Sequence, residues 1–267
     1  MLPSREKGAQ LSSEGRRIRA WQGAAAWSYP LGVKNQYVGD VNDYRKYGLL
    51  RALESAGVGD WLVAWMLTPD DGSADGRRTR YLDRPKMWSQ FDPELFSSLS
   101  HLMNGDLTRE VSLVENSGLL PSMRFFSTLV PDAAGQRATW ARQMSKCAEA
   151  CSCVFFDPDN GLEINSRPIG RLGSSKYVAW REAEQVWKQG ASVLIYQHFP
   201  RVERSRFIDL RLAEIRTRLD GADAIGFRTA NVVFLLAAQP DHAHRLSSAA
   251  TRASAAWHGQ IEVVRPR

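Results

Sequence analysis

Cysteine is scarce in this chain: Cys147, Cys151 and Cys153 are the only three, crowded into one short stretch. They offer no disulfide framework. Cys147 and Cys151 stand at i and i+4 on an expected helix, and Cys153 opens an expected strand, a pattern that suits small core residues better than metal ligands. Free thiols fit a reducing compartment, so a cytoplasmic location is the expectation. Long apolar runs are lacking as well. Nothing approaches the roughly 20 residues that a membrane helix needs, and the first thirty residues hold no apolar stretch of the kind found in secretory signals.

Charge of one sign does not dominate either. The formal net charge is +6, and residues 1–33 hold +3 of it through Arg5, Lys7, Arg16, Arg17 and Arg19 against Glu6 and Glu14. Such a balance attracts phosphates at long range, which makes nucleic acid a candidate partner, although a generic solvated surface explains a mild excess equally simply. Residues 1–33 have no sustained periodicity and read as a disordered basic arm, or as an extension upstream of a true start near Val33. Residues 34–267 read as a single α/β domain.

What is present is an alternation of helical and extended patterns. Asn42 or Asp43 is expected to cap a helix carrying Tyr47, Leu50 and Leu53 on one face. Trp61–Leu67 reads as a strand, 92–104 as a helix opened by Asp92-Pro93, and 108–117 fits either element. Met123–Val130 reads as a second strand, and 136–150 as a helix with Trp140, Met144 and Cys147 on one face. Cys153–Phe156 is a short apolar run suited to a strand buried on both faces. Helices at 179–189 and 203–219 flank the strand Ser192–Gln197, the latter helix with Phe207, Leu210, Ala213 and Leu219 inward. Ala224–Arg228 and Val232–Ala237 stand close enough to form an antiparallel pair, and a helix at 241–256 and a strand at 261–264 follow. The order implies an α/β fold, a mostly parallel doubly wound sheet with an antiparallel C-terminal strand pair. Such sheets bind ligands at the carboxyl ends of their strands.

The polar motifs fall at those ends. Phe156-Asp157-Pro158-Asp159-Asn160-Gly161 places two aspartates directly after a buried strand, in a turn stiffened by Pro158 and closed by Gly161. Ser174-Ser175-Lys176-Tyr177 can cap a helix and offer backbone N–H groups plus Lys176 to an anion. Tyr196-Gln197-His198-Phe199-Pro200-Arg201 supplies His198 as a proton acceptor and Arg201 as an anion clamp. Asp40, Asp43, Lys46 and Tyr47 can form one wall of a pocket. Asp70 and Asp71 read as a solvated turn.

Tyr37-Val38-Gly39-Asp40-Val41-Asn42-Asp43-Tyr44-Arg45-Lys46-Tyr47-Gly48-Leu49-Leu50-Arg51, together with Phe155–Glu163, resembles a widespread family of bacterial proteins of uncharacterised activity, over about residues 34–260. The layout of the second half also resembles class I S-adenosylmethionine-dependent methyltransferases, including those of the three-Cys-motif partner type. Those enzymes carry an Asp-Pro motif after their fourth strand, where Asp157-Pro158-Asp159-Asn160 stands here. The resemblance implies a Rossmann methyltransferase-like sheet, with Asp159 or Asn160 orienting an amine of a nucleic acid or another substrate. A glycine-rich cofactor loop after the first strand is not recognisable. The same motif is similar to the Asp-x-Asp of haloacid-dehalogenase-type phosphatases, which would make Asp157 and Asp159 nucleophile and acid/base beside Mg²⁺.

The expected site thus comprises Asp157, Asp159 and His198 as catalytic residues, with Asn160, Lys176, Arg201, Asp40, Asp43 and Lys46 binding substrate, and no resident metal. S-adenosylmethionine is the candidate cofactor and Mg²⁺ the alternative. A methyltransferase-like activity, a Mg²⁺-dependent phosphohydrolase or nuclease, and a non-catalytic nucleotide- or partner-binding module are the competing functions.

Overall fold

Apolar runs of four residues, too short for helices and bounded by turn formers, become the centre of a twisted sheet. The computed structural model describes residues 38–69, 78–104 and 109–266. The expectations for residues 1–33 and for Asp70 and Asp71 fall outside them. In chain order come α1 (Val41–Glu54), β1 (Trp61–Ala64), α2 (Pro85–Trp88), α3 (Pro93–Met103), α4 (Val111–Asn116), β2 (Met123–Phe126), α5 (Ala134–Ala148) and β3 (Cys153–Phe156). Then follow β4 (Gly161–Leu162), a 3₁₀ turn (Ser174–Lys176), β5 (Tyr177–Val178), α6 (Trp180–Lys188), β6 (Ser192–His198) and α7 (Arg204–Arg218). The chain continues with β7 (Asp223–Arg228), β8 (Val232–Ala238), α8 (Pro240–Ala256) and β9 (Glu262–Val264).

The main sheet has the order β2-β1-β3-β6-β8-β7-β9, and β4 and β5 form a separate parallel pair. β2, β1, β3 and β6 run parallel to one another. β8 runs against both β6 and β7, and β9 against β7. The fold is therefore α/β, with the expected antiparallel pair inserted beside β6. From β1 the chain crosses to β2 on one side and then to β3 on the other, so the winding direction switches between β1 and β3.

Alternate strand residues pack on opposite faces. Trp61, Val63, Phe155 and Leu194 join the core formed with α1, α3 and α8. Leu62, Val154, Phe156 and Ile195 join the one formed with α5, α6 and α7. All four residues of β1 and of β3 are buried, as strands covered on both faces require. The described residues belong to one compact unit, and none of their helices is long and apolar enough to cross a membrane.

Several local expectations change. The N-cap of α1 is Asp40, whose carboxylate accepts the Asn42 N–H at 2.7 Å. α1 is also buried nearly all round, not amphipathic: Tyr44 packs among Tyr81, Trp88, Phe96 and Trp257, and Gly48 lies where a Cβ would strike the Trp257 ring at 1.9 Å. The strand from Trp61 leaves the sheet at Trp65, and Met66 turns the backbone with φ +50°. Of the ambiguous stretch 108–117, the described part holds the helix α4, Val111–Asn116.

On α7 the inward face is Phe207, Ile208, Leu212 and Ile215, with Leu219 just beyond its end, whereas Leu210 is 61% exposed and Ala213 is exposed. Steps of three residues drift off a 3.6-residue helical face, which is why the expected set failed. Cys147 is exposed and is not a core residue, while Cys151 and Cys153 are buried.

Candidate functional site

α1 enters the sheet's carboxyl edge with its first two turns. Asp43, Lys46 and Tyr47 stand three and four residues apart, so they share one helical face. Lys46 Nζ lies 2.8 Å from Asp43 Oδ1 and 2.7 Å from Asp157 Oδ2. Asp43 Oδ2 accepts the Gly39 N–H at 3.2 Å and the Tyr47 hydroxyl at 3.1 Å. The ammonium also sits 5.4–5.7 Å from the ring centres of Tyr47, Trp65 and Tyr196, a distance at which cation–π attraction operates. Burial works against the Lys46 charge, but Asp157 and Asp43 hold its pKa well above the usual lysine value.

β3 delivers Asp157 to the same place, its N–H donating to the Ala64 carbonyl at the end of β1. Burial pushes the Asp157 carboxyl up to about 6; Lys46 opposes this, and Asp43 and Asp159 add to it. Asp159 Oδ2 accepts the Thr68 hydroxyl at 2.9 Å, which ties the loop after β3 to the loop after β1. Burial also raises the Asp40 carboxyl, against two backbone N–H donors, Asn42 and Arg78.

The end of β6 supplies the third wall. The His198 N–H donates to the Asn160 carbonyl at 3.1 Å, and His198 Nε2 is 3.3 Å from the Tyr196 hydroxyl. His198 is exposed at the rim. Loss of hydration beside the surrounding protein still lowers its pKa, Lys46 lowers it further, and Asp159 pulls it up. The imidazole is therefore neutral at pH 7, the state that accepts a proton.

Gln197 is a residue to which sequence reasoning attached no role. Its side-chain Nε2 donates to the Asn160 and His198 carbonyls at 3.1 and 2.9 Å, and its Oε1 accepts the Leu162 N–H at 2.9 Å. Gly161 lies directly over that amide with φ +121°, and a Cβ there would meet the Gln197 side chain at 2.4 Å. The turn after β3 is thereby clamped to β6. A buried amide directly after the apolar run Val193-Leu194-Ile195 and Tyr196 was the available signal.

One cavity of about 610 Å³ collects most of these groups: Asp40, Asp43, Lys46, Asp157, Asp159, Asn160, Lys176 and His198 all line it, together with Tyr47, Trp65, Met66, Arg78 and Tyr196. It lies at the carboxyl ends of β1 and β3, the winding switch point. Asp157 and His198, 41 positions apart in the chain, face one space. Arg201 is exposed on the following loop and does not line it.

The Ser174–Lys176 turn is built differently from its expectation. The N–H groups meant for an external anion are taken by a carboxylate of the chain: Asp132 accepts from Gly173 N–H at 2.8 Å and Ser175 N–H at 2.6 Å. Burial opposes the charge of Asp132, but these donors and the two serine hydroxyls hold its carboxyl below the usual range. The turn does not cap the next helix either. α6 starts at Trp180, where Glu163 accepts the Trp180 N–H and Glu182 reaches back to the Ala179 N–H.

Among the described residues no three His, Cys, Asp or Glu side chains gather in a group that could hold a metal ion. No protein-family model and no curated protein matches the chain.

Proposed function

We propose that the chain is a methyltransferase-like enzyme that binds S-adenosylmethionine at the β1/β3 switch point and methylates an amine nitrogen. One observation carries the reading: a polar cavity at the sheet's carboxyl edge opens at that switch point, between the Asp157-Pro158-Asp159-Asn160 loop and His198. Open α/β sheets hold nucleotide-like ligands in this crevice.

The lining fits such a cofactor in size and in donor set. Its volume falls within the range of about 300–1,000 Å³ found for small-molecule sites. Asp40 at the cavity wall suits sugar hydroxyls or an ammonium, and Lys176 suits a carboxylate. S-adenosylmethionine, once bound, supplies an electrophilic methyl group. Asp159 and the Asn160 side chain orient the acceptor amine as hydrogen-bond acceptors. His198, neutral and exposed to the cavity, takes up the proton that the amine releases. Lys46 and Asp157 neutralise each other beneath the site and hold α1 against the loop after β3.

A Mg²⁺-dependent phosphohydrolase would need Asp157 as a nucleophile, yet that carboxylate is engaged by Lys46 at 2.7 Å. The reading is tested by calorimetric titration and thermal melting with S-adenosylmethionine and, separately, with Mg²⁺. A ligand at a hundredfold excess over its Kd stabilises the fold by about 2.7 kcal/mol. A melting temperature moved by Mg²⁺ and untouched by S-adenosylmethionine would sink the proposal. Inertness to both would leave the binding-module alternative in its place.

A further inference from the structure

Residues two apart in a strand point the same way, and at the end of β6 Tyr196 and His198 both line the cavity. Their rings meet edge to face, with centroids 5.1 Å apart and planes at 84°. Tyr196 Oη lies 3.3 Å from His198 Nε2. The phenol is the fixed member of the pair. Its ring is buried and packs edge-on against Phe234, its register partner on β8. The Lys46 ammonium stands 5.7 Å from the centre of the same ring. The imidazole is exposed at the rim, so the contact with the phenol holds one edge of it in place.

We infer that Tyr196 is the proton relay of this site: its hydroxyl donates to His198 Nε2 and passes on the proton that a bound amine releases. The inference rests on the reading of His198 as the proton acceptor, and it adds the route by which the proton arrives. A phenol gives up its proton near pH ~10 and an imidazolium near ~6.5. The imidazole nitrogen is thus a far better acceptor than the phenol oxygen. The bond therefore runs from Oη–H to Nε2, which leaves the ring proton on Nδ1. An incoming proton meets an Nε2 lone pair that is already occupied, so it enters at Oη instead. The N–H bond of the methylated ammonium breaks, its electron pair staying on nitrogen, as a new Oη–H bond forms. The original Oη–H bond breaks as Nε2–H forms. Tyr196 returns to a neutral phenol and His198 becomes the imidazolium, so protons and charge balance. Lys46 favours negative charge that gathers on the phenol between the two transfers, and Asp159 attracts the imidazolium that results.

The test is a long-range ¹H–¹⁵N correlation spectrum of the full chain with labelled histidine rings, at about pH 8, above the ordinary imidazole range. His198→Gln identifies the His198 signals among the five histidines. No S-adenosylmethionine is present, so failure of cofactor binding leaves this result standing, and a wrong tautomer leaves cofactor binding standing. In the wild type, His198 should carry its proton on Nδ1 with Nε2 bare. Tyr196→Phe keeps the ring that packs on Phe234 and removes only the donor. It should move the Nε2 signal toward the protonated value and the Nδ1 signal toward the bare one, with the other histidines unchanged. A second measurement reads access to the nitrogen. Diethyl pyrocarbonate acylates a bare imidazole nitrogen, and it should modify His198 several-fold faster in Tyr196→Phe than in the wild type. A wild type with its proton on Nε2 would overturn the inference, because the phenol would then be accepting. That arm needs no variant and holds even if Tyr196→Phe disturbs β6. An unchanged His198 tautomer in Tyr196→Phe, or equal rates of acylation, would overturn it too.

Discussion

Lys46 Nζ lies 2.7 Å from Asp157 Oδ2, a contact that joins the first helix to the loop after the third strand across 111 positions of sequence. Both side chains are nearly out of solvent, 8% and 13% exposed. Lys46→Met would keep the aliphatic packing and leave Asp43 and Asp157 facing each other without a cation. Breaking a buried pair from one side costs about 3–5 kcal/mol. Urea denaturation should show a loss of that size, and Lys46→Met/Asp157→Asn should recover part of it. A loss below about 1 kcal/mol would mean that water reaches the pair and screens it.

The same geometry sets a pH dependence. The folded pKa of Asp157 is raised to about 6, above the value of about 3.9 expected in the unfolded chain. The folded state therefore holds this proton more tightly, so the contribution of Asp157 is full at low pH. It is lost as pH rises from about 4 through about 6. A shift of this size corresponds to roughly 2–3 kcal/mol. Asp157→Asn removes the titration, so the stability of the variant relative to wild type should improve across this window as pH rises. Denaturation series at several pH values measure the difference directly. An unchanged difference between pH 4 and 7 would show that Asp157 titrates normally.

How much of this was legible follows from what each feature depends on. Strand ends could be read because a run such as Val154-Phe155-Phe156 admits no solvated polar group, so the first aspartate after it marks the sheet's rim. The convergence of Asp157, Asp159 and His198 followed from the parallel topology alone. The all-round burial of α1 was not legible, since nothing local to Arg45 and Lys46 shows that Gln260 and Asp157 will cover them. Asp132 was missed for a related reason. Its role is to fill an anion nest 41 positions away, and nothing local to it announces that. Gln197 has meaning only once β3 and β6 are neighbours.

The clamp that Gln197 makes yields a third prediction. Gly161→Ala would force a side chain into φ +121° and against the Gln197 amide. Backbone strain of this kind costs about 1–3 kcal/mol, and the steric clash adds to it. Gln197→Ala strands the buried Leu162 N–H, at about 1–3 kcal/mol. The two costs should not add. With the amide gone the new Cβ has room, so Gly161→Ala should cost less in the Gln197→Ala background than in wild type. Strict additivity in a double-mutant cycle would show that Gly161 is required for its dihedral angle alone.

A fourth prediction concerns the wall behind the site. Arg137 and Glu182 are 1% and 0% exposed and meet through two contacts, Nε to Oε1 at 2.6 Å and Nη2 to Oε2 at 2.8 Å. Arg137 Nη2 also donates to the Tyr177 carbonyl, and Glu182 Oε2 accepts the Ala179 N–H. The pair therefore joins α5 to the segment that carries Lys176. Its Nη1 has no hydrogen-bond partner, so the pair is imperfectly satisfied and its net contribution is small despite its short contacts. Arg137→Met should cost about 3–5 kcal/mol by leaving a buried carboxylate unpaired. Arg137→Met/Glu182→Leu removes both charges and should lie within about 1–2 kcal/mol of wild type, because only the Tyr177 and Ala179 backbone groups lose partners. If the double variant is as unstable as the single one, the ion pair itself holds the fold together, and its role exceeds that of a local joint.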